Sequence, residues 1–587
     1  MTGAVDRKGR RAGPVEGRAD QPAPRRAGRA GPAEGAANGR ARGGAGRGRA
    51  VTAVLALLLL AAPVAARAER ERPHRGPVER VGRLVEEWRF EEAQAEVDRL
   101  LASAPGEAAT VYLDALVRFN AGDYDGAAAR LDELGKRGGH GPGTSEIKEL
   151  ADRVERTRAA TRGFVEARSP DGHFIIRHQP GRDELLVPYA LAALEAARRE
   201  IGLSDFAAGA LLEAPVRVEI YPAVADLARV STLTEKEIET SGTIALCKYN
   251  RLMIASPRAL VHGYPWLDTL AHEFTHLVVT RVSRNTVPIW LHEGLAKYEQ
   301  RRWRLASIAD APLSPSEEHL LAAALGKGRR LITFEEMSPS MAKLPSQDET
   351  ALAFAEVYSV IEYLVARKGW DGVRGLLAGL RDGLSDAQAV AQVVGQPFDE
   401  FQRGWRGWLR GRKLRLRPGL VPTALKFAHA GKPGRPAARD DDDAQEVVED
   451  RARKLVRLGG LLRDKGRTAA AAVEYARALE LVGPGHVVVA NRLARALITL
   501  GDLDGAIAAA TPAFTLYPDS GGAAAVLGEA WSKKGDADKA SRYLEAAISL
   551  NPFDPTPHCT LAPLYDARHD PRSAQEHAAC AALSRAP

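Results

Sequence analysis

The chain has 587 residues, too long for one ordinary hydrophobic core, and its length predicts two to four domains. Its formal charge of +7 comes from the first fifty residues, where 12 Lys+Arg face 4 Asp+Glu, so the remainder is close to neutral. No stripe of Lys and Arg with interleaved aromatics follows, which excludes a basic nucleic-acid surface spread over the folded part.

Residues 1–50 are almost entirely Gly, Ala, Arg and Pro, a composition that cannot bury enough apolar surface to offset chain entropy, and they read as a disordered basic arm. Residues 51–68 carry an apolar run from Val51 to Ala62, then Ala66-Arg67-Ala68 before Glu69. This pattern predicts a secretory signal with a small-residue cleavage site, or an uncleaved signal anchor holding the chain to a membrane through residues 51–66. The expected location is periplasmic or extracellular. Three cysteines, Cys247, Cys559 and Cys580, make no disulfide framework. Export would permit one bridge, between Cys559 and Cys580; two buried thiols is the other reading.

Downstream of the signal, "WRFEEAQAEVDRLL" and "GDYDGAAARLDEL" align with Phe90 over Tyr124 and Ala93 over Ala127, each pair 34 apart. Residues 77–160 therefore read as two helical repeats and a capping helix. At the other end Gly501 and Gly535 are 34 apart, His569 follows at the same interval, and Gly466 precedes by 35. Pro484, Pro518 and Pro552 share the period, and Ala471, Ala506, Ala540 and Ala574 keep one register, as small residues at a helix crossing would. This period, with small residues at the crossing and proline after the second helix, resembles the tetratricopeptide repeat (TPR), in four units over 451–585. Such arrays present helical surfaces to protein partners. Between the middle of the chain and this array, residues 416–448 are rich in Pro and Gly and carry the run Asp440 to Asp443, which reads as a solvated linker.

The middle, 163–415, opens with strand patterns in "HFIIRHQ" and "PVRVEIYP" around a helical "VPYALAALEAARREIGL". "SGTIALCKYNRLMIASP" predicts two more strands and "WLDTLAHEFTHLVVTRVS" a helix, an α+β arrangement. On that helix His272 and His276 lie about 40° apart and about 6 Å along the axis, the placement two imidazoles need to share a tetrahedral ion. Glu273 stands beside the first. In "VPIWLHEGLAKYEQ", Pro288 can start a helix, Glu293 is a third candidate ligand, and Gly294 would let this helix approach the first closely. His292 is the competing ligand, about 100° away on the same helix.

"TLAHEFTHLVV" followed by "VPIWLHEGLAKYEQ" resembles the gluzincin metallopeptidases, and within them the bacterial peptidase MA-like group, over about 165–412. The resemblance implies a zincin-like catalytic fold, Zn2+ held by His272, His276 and Glu293, and Glu273 as general base toward a zinc-activated water. It also implies that "GTIALCKYNRLMIA" supplies an edge strand for an extended peptide. Two positions depart from the family pattern. Lys297 stands where an acidic residue is expected, and Phe354 where a tyrosine would stabilise the developing oxyanion. Tyr358, one turn later, can take that role or pack as a plain aromatic. The expectation is an exported zinc metallopeptidase whose repeats recruit peptide or protein substrates and partners. The alternatives are an inactive repeat scaffold of the cell envelope, or a zinc hydrolase acting on a non-protein amide such as peptidoglycan.

Overall fold

The computed structural model describes residues 76–136, 144–305, 312–326, 329–417, 419–420, 425–428 and 444–585. The basic arm, the signal segment and the aspartate run lie outside the described residues. Among the described residues no helix is long and apolar enough to cross a membrane.

The first part is all helical: α1 (Pro77–Glu86), α2 (Phe90–Ser103), α3 (Ala108–Asn120), α4 (Tyr124–Lys136) and α5 (Thr144–Ala160). Two turns 34 residues apart, at Trp88 and Gly122, have φ of 58° and 80°, the left-handed conformation that folds one helix back on the next. Ala93 and Ala127, the aligned small residues, are fully buried beside Val81, Val97, Val111 and Phe119.

Next comes a five-stranded mixed sheet in the order β1-β2-β3-β5-β4. Its members are β1 (Val165–Arg168), β2 (Phe174–His178), β3 (Val216–Tyr221), β4 (Ala245–Lys248) and β5 (Arg251–Ala255). β2, β3 and β5 run parallel, while β1 and β4 pair antiparallel at the two edges. Strand β1 escapes the sequence pattern because it is a largely exposed edge with a single Val and a single Ala in its four residues. The β4–β5 hairpin turns on Tyr249 and Asn250, with φ of 56° and 57°, the two left-handed residues a two-residue hairpin requires.

Helices cover the sheet: α6 (Val187–Ala197), continued by a π-helical stretch Arg198–Asp205, then α7 (Val224–Val230), α8 (Glu235–Ser241) and α9 (Trp266–Ser283). After these come α10 (Ile289–Glu299), α11 (Pro315–Ala324), α12 (Gln347–Arg381), α13 (Asp386–Val394) and α14 (Phe398–Gly411). The long α12 breaks at Gly369, whose φ is 61°. One core joins Phe174, Val218 and Ile254 of the sheet to Leu270, Phe274 and Leu277 of α9, Leu291 and Leu295 of α10, and Val357 and Ile361 of α12.

A buried charge cluster joins the first helices to the sheet. Arg251 is fully buried, with Nε 3.2 Å from Glu219 Oε2, and its Nη1 donates to the Phe119 carbonyl at 3.2 Å. Its guanidinium lies 4.7, 5.0 and 5.4 Å from the ring centres of Phe119, Tyr124 and Tyr249. Glu219 also accepts from Tyr124, from Tyr221 at 2.6 Å and from Arg177 at 3.2 Å.

The last part is four helical hairpins: α15 (Asp450–Asp464) with α16 (Thr468–Val482), α17 (Val487–Leu500) with α18 (Leu503–Leu516), α19 (Gly521–Lys534) with α20 (Ala537–Leu550), and α21 (Pro555–Asp566) with α22 (Ser573–Ser584). Gly466, Gly501, Gly535 and His569 occupy the four hairpin turns with φ of 72°, 83°, 85° and 54°, so one backbone requirement explains the recurrent glycine. Ala471, Ala506 and Ala540 are fully buried, while Ala574, in the terminal unit, is exposed. A disulfide joins Cys559 to Cys580 across the last hairpin.

The expected solvated linker is in part pinned down. Phe427 pairs antiparallel with Leu260, Val261 N–H donates to the Lys426 carbonyl at 2.9 Å, and Ala428 N–H to the Ala259 carbonyl at 2.8 Å. A short apolar pair inside a polar segment suffices, because a backbone bridge needs few residues of chain.

Candidate metal centre

Helix α9 is apolar on nearly every face, so its polar side chains are carried inside with it. His272, Glu273 and His276 each bring a donor atom within 4.8 Å of the others. The turn after Ser283, with Arg284 and Asn285 at φ of 55° and 58°, and the Pro288 cap reverse the chain into α10. That reversal sets Glu293 Oε2 3.4 Å from His272 Nε2 and 3.3 Å from His276 Nε2.

Two atoms bound to one tetrahedral zinc at about 2.0–2.1 Å stand about 3.3 Å apart. The histidine–carboxylate distances match that spacing. Two buried atoms of the cluster, Glu273 Oε2 and His276 Nδ1, have no hydrogen-bond partner among the described residues. An orphaned carboxylate oxygen beside converging lone pairs is the pattern of a site completed by a cation and a substrate. The donor set, two imidazoles and a carboxylate, is one that suits zinc.

Burial pushes the Glu273 carboxyl up to about 8; the Glu293 charge adds to this, while His276 and the Cys247 backbone N–H oppose it. Burial holds His272 down at about 4 against the pull of Glu293. Burial also works to lower His276, but Glu293, by charge and hydrogen bond, raises it above its ordinary value. Glu293 itself overcomes burial through the two histidines and stays well below the usual carboxylate range.

The surroundings differ from expectation at Gly294 and give Phe354, Tyr358 and Lys297 their neighbours. Gly294 does not serve an approach to α9: a Cβ there would lie 2.8 Å from Ile361 Cγ1 and 3.1 Å from the Val357 carbonyl, so the close approach is to α12. The small residue lies one position beyond the ligand and so, by the 100° helical step, on a different face. Phe354 of α12 faces His272 edge-on at 6.0 Å between ring centres, while Tyr358 packs on Tyr298 at 5.4 Å. Lys297 places Nζ 2.9 Å from Glu317 Oε1. Burial would raise the Glu317 carboxyl, yet Lys297, Arg301 and the Ser314 N–H hold it down at about 2.

Sequence reasoning missed two supporting groups. His292 stacks on His276 at 4.4 Å and meets Thr280 Oγ1 at 3.1 Å, so its ring packs against that of His276. The Cys247 amide, on the edge strand β4, works against burial to lower the Glu273 carboxyl. No signal in the sequence marks either contact, because both depend on how α9 sits against its neighbours.

Comparison with known proteins agrees with this architecture. The peptidase MA superfamily model matches residues 197–411, and the tetratricopeptide repeat model matches residues 523–554. No curated protein matches the chain. Among solved structures it is similar to that of MamA at 17% identity, covering 24% of this chain and 82% of that chain with a TM-score of 0.21. It is also similar to the APC/C hetero-tetramer Cut9-Hcn1 at 13% identity, covering 89% of this chain and 82% of that chain with a TM-score of 0.24. The chain thus carries a peptidase MA superfamily domain, which suggests a protease, and a tetratricopeptide repeat, which suggests interaction with other proteins.

Proposed function

We propose that this chain is a zinc metallopeptidase of the gluzincin type, with a zincin-like catalytic domain over 163–415 and TPR arrays on both sides. The observation that carries the reading is the convergence of His272 Nε2, His276 Nε2 and Glu293 Oε2 at 3.3–3.4 Å, beside the unpartnered Glu273 Oε2. His272, His276 and Glu293 would hold Zn2+, which when bound supplies Lewis acidity toward a scissile carbonyl and toward water.

The chain's own residues do the rest. Glu273 Oε2 is the buried acceptor, set beside His272 and His276 where it can take a proton from water and return it to a leaving amine. The Cys247 N–H favours the charged form of the Glu273 carboxyl, and the His292 ring, anchored at Thr280, keeps His276 from turning. Edge strand β4 offers backbone groups beside Glu273 for an extended peptide. Phe354 beside His272 offers no hydrogen bond to an oxyanion, and Tyr358 is assigned no proton step here. The Cys559–Cys580 disulfide supports residence in an oxidising compartment, in keeping with export.

The test is to incubate the protein from Glu69 onward with a diverse peptide mixture, beside its Glu273→Gln variant, and read new termini by mass spectrometry. Cuts by the first and not the second are expected. Identical termini in both, with zinc bound to both, would defeat the reading.

A further inference from the structure

Among the described residues, strand β4 is an open edge of the sheet, and the hairpin that carries it is held from outside the sheet. In a two-residue hairpin the flanking pair, here Lys248 and Arg251, exchanges backbone hydrogen bonds, and bonded and unbonded pairs then alternate along the ladder. The Ala255 N–H, donating to the Ile244 carbonyl at 2.8 Å, keeps the same alternation. Ala245 and Cys247 therefore turn their backbone N–H and C=O groups away from β5, toward the open edge. Helix α9 packs against β4, and the Cys247 N–H is the backbone group that works to lower the Glu273 carboxyl. The open edge thus runs beside Glu273.

The tip of this hairpin is anchored twice. Its two turn residues, Tyr249 and Asn250, are left-handed, at φ of 56° and 57°, a conformation that favours Asn and Gly and is unfavourable for a bulky ring. Asn250 fits that preference, and Tyr249 does not. What Tyr249 gains is a seat on the N-terminal helices. Its ring meets Phe119 of α3 edge-on at 5.2 Å between centres, and Arg153 of α5 sets its guanidinium 5.1 Å from the ring centre. The same ring packs against the core of those helices and against the core that contains the sheet. On the other side of the tip, Arg281 of α9 donates from Nη2 to Asn250 Oδ1 at 3.0 Å and from Nη1 to the Leu211 carbonyl at 2.7 Å. One end of the edge strand is thereby fixed between the N-terminal array and the helix that carries His272 and His276.

We propose that the N-terminal array sets the position of the peptide-pairing strand, with Tyr249 the positioning residue through which α3 and α5 hold the open edge of β4 beside Glu273. The peptide rests on the metallopeptidase reading; the hold on the strand rests on the contacts. The array then bears on peptide binding without touching peptide or metal. A displaced edge loses backbone pairing with an extended chain, while His272, His276 and Glu293 stay where α9 and α10 put them.

Two variants of the full chain test this. Tyr249→Gly removes the ring and suits the left-handed turn, so the hairpin itself is not put at risk. Tyr249→Phe keeps the ring in its seat. Three properties are read: KM and kcat on a quenched fluorescent peptide spanning a bond that the parent cuts, zinc affinity by chelator competition, and hydrogen exchange of the amides over 245–248. Tyr249→Gly is expected to raise KM about tenfold, as loss of about one backbone hydrogen bond to the peptide would give, with kcat and zinc affinity unchanged and exchange over 245–248 faster. Tyr249→Phe is expected to match the parent in all three. A parent KM in Tyr249→Gly would overturn the proposal, as would a loss confined to kcat or a fall in zinc affinity. Equal defects in both variants would overturn it too, since phenylalanine keeps the ring. If no form cleaves anything, the peptidase reading falls and exchange decides alone: faster exchange in Tyr249→Gly but not in Tyr249→Phe upholds the hold on the strand, and equal exchange in all forms overturns it.

Discussion

Two clusters of ionisable side chains are buried in this protein, and they are balanced in opposite ways. At the junction of the first helices with the sheet, Arg251 faces Glu219 and three aromatic rings, and Glu219 accepts from two tyrosines and Arg177. Cation meets anion, and the group serves as glue. At the candidate metal centre two histidine nitrogens converge on one Glu293 oxygen, and a second glutamate keeps an oxygen without a hydrogen-bond partner among the described residues. Equal burial thus has two meanings, and the balance of charge tells them apart. The first cluster sets a buried cation against an anion and aromatic rings, although Arg251 Nε and Nη2 make no hydrogen bond among the described residues, whereas the second is rich in acceptors and is a candidate to hold a cation.

The contrast can be broken most sharply at Glu273. Glu273→Gln should cut peptide hydrolysis about a thousandfold, within the range for loss of a general base, with zinc content unchanged on metal analysis. Loss of zinc instead would make Glu273 part of the binding set. The opposite outcome is expected at the glue: Arg251→Met should take away the fully buried cation facing Glu219, leaving Arg177 as its charged partner, and lower stability by about 3 kcal/mol in urea titration, with zinc affinity untouched. Were zinc affinity to fall as well, the two clusters would not be independent.

Metal should stabilise one cluster and not the other. Zinc at a hundred times its Kd is expected to raise the unfolding free energy by about 2.7 kcal/mol, and His276→Ala should abolish that gain while Arg251→Met keeps it.

Glu356, fully buried on α12, lies between the two cases, with one oxygen accepting from Ile332 N–H at 3.0 Å and the other unpartnered among the described residues. Burial pushes its carboxyl up to about 8. At low pH both the folded and unfolded chains hold the proton. As pH rises from the ordinary carboxylate value toward 8, the folded chain alone keeps it, so stability falls through that window and levels off above. Glu356→Gln should remove this loss, gaining on the order of 4 kcal/mol at pH 8.5 and nothing at pH 4 in paired urea titrations. A gain of the same size at both pH values would mean packing, not charge, is responsible.

Much of the fold was legible because it is local. The repeat period is written in glycines at positions 466, 501 and 535 because each hairpin turn needs a left-handed residue, and His569 shows that the turn, not the glycine, is the requirement. The pairing of His272 with His276 follows from helical periodicity, and the Pro288 cap announces the helix that carries Glu293. The short edge strand β1 was not legible, since an exposed edge carries little pattern. Nor was the choice between Phe354 and Tyr358, which sit one turn apart on the same helix; the rotation of α12 against α9 and α10 selects which ring meets His272.

The sequence by itself therefore determined the periodic features: two helical arrays, a strand-rich middle and a helix that carries His272 and His276 on one face, each specified by residues a few positions apart. The tertiary structure alone decided that Gly294 fits against α12, that Lys297 pairs with Glu317, that His292 stacks on His276, and that Leu550 meets Tyr264. Such contacts join residues far apart in the chain through helix faces that are equally apolar on several sides. Periodicity says that a face will be buried; packing chooses its partner.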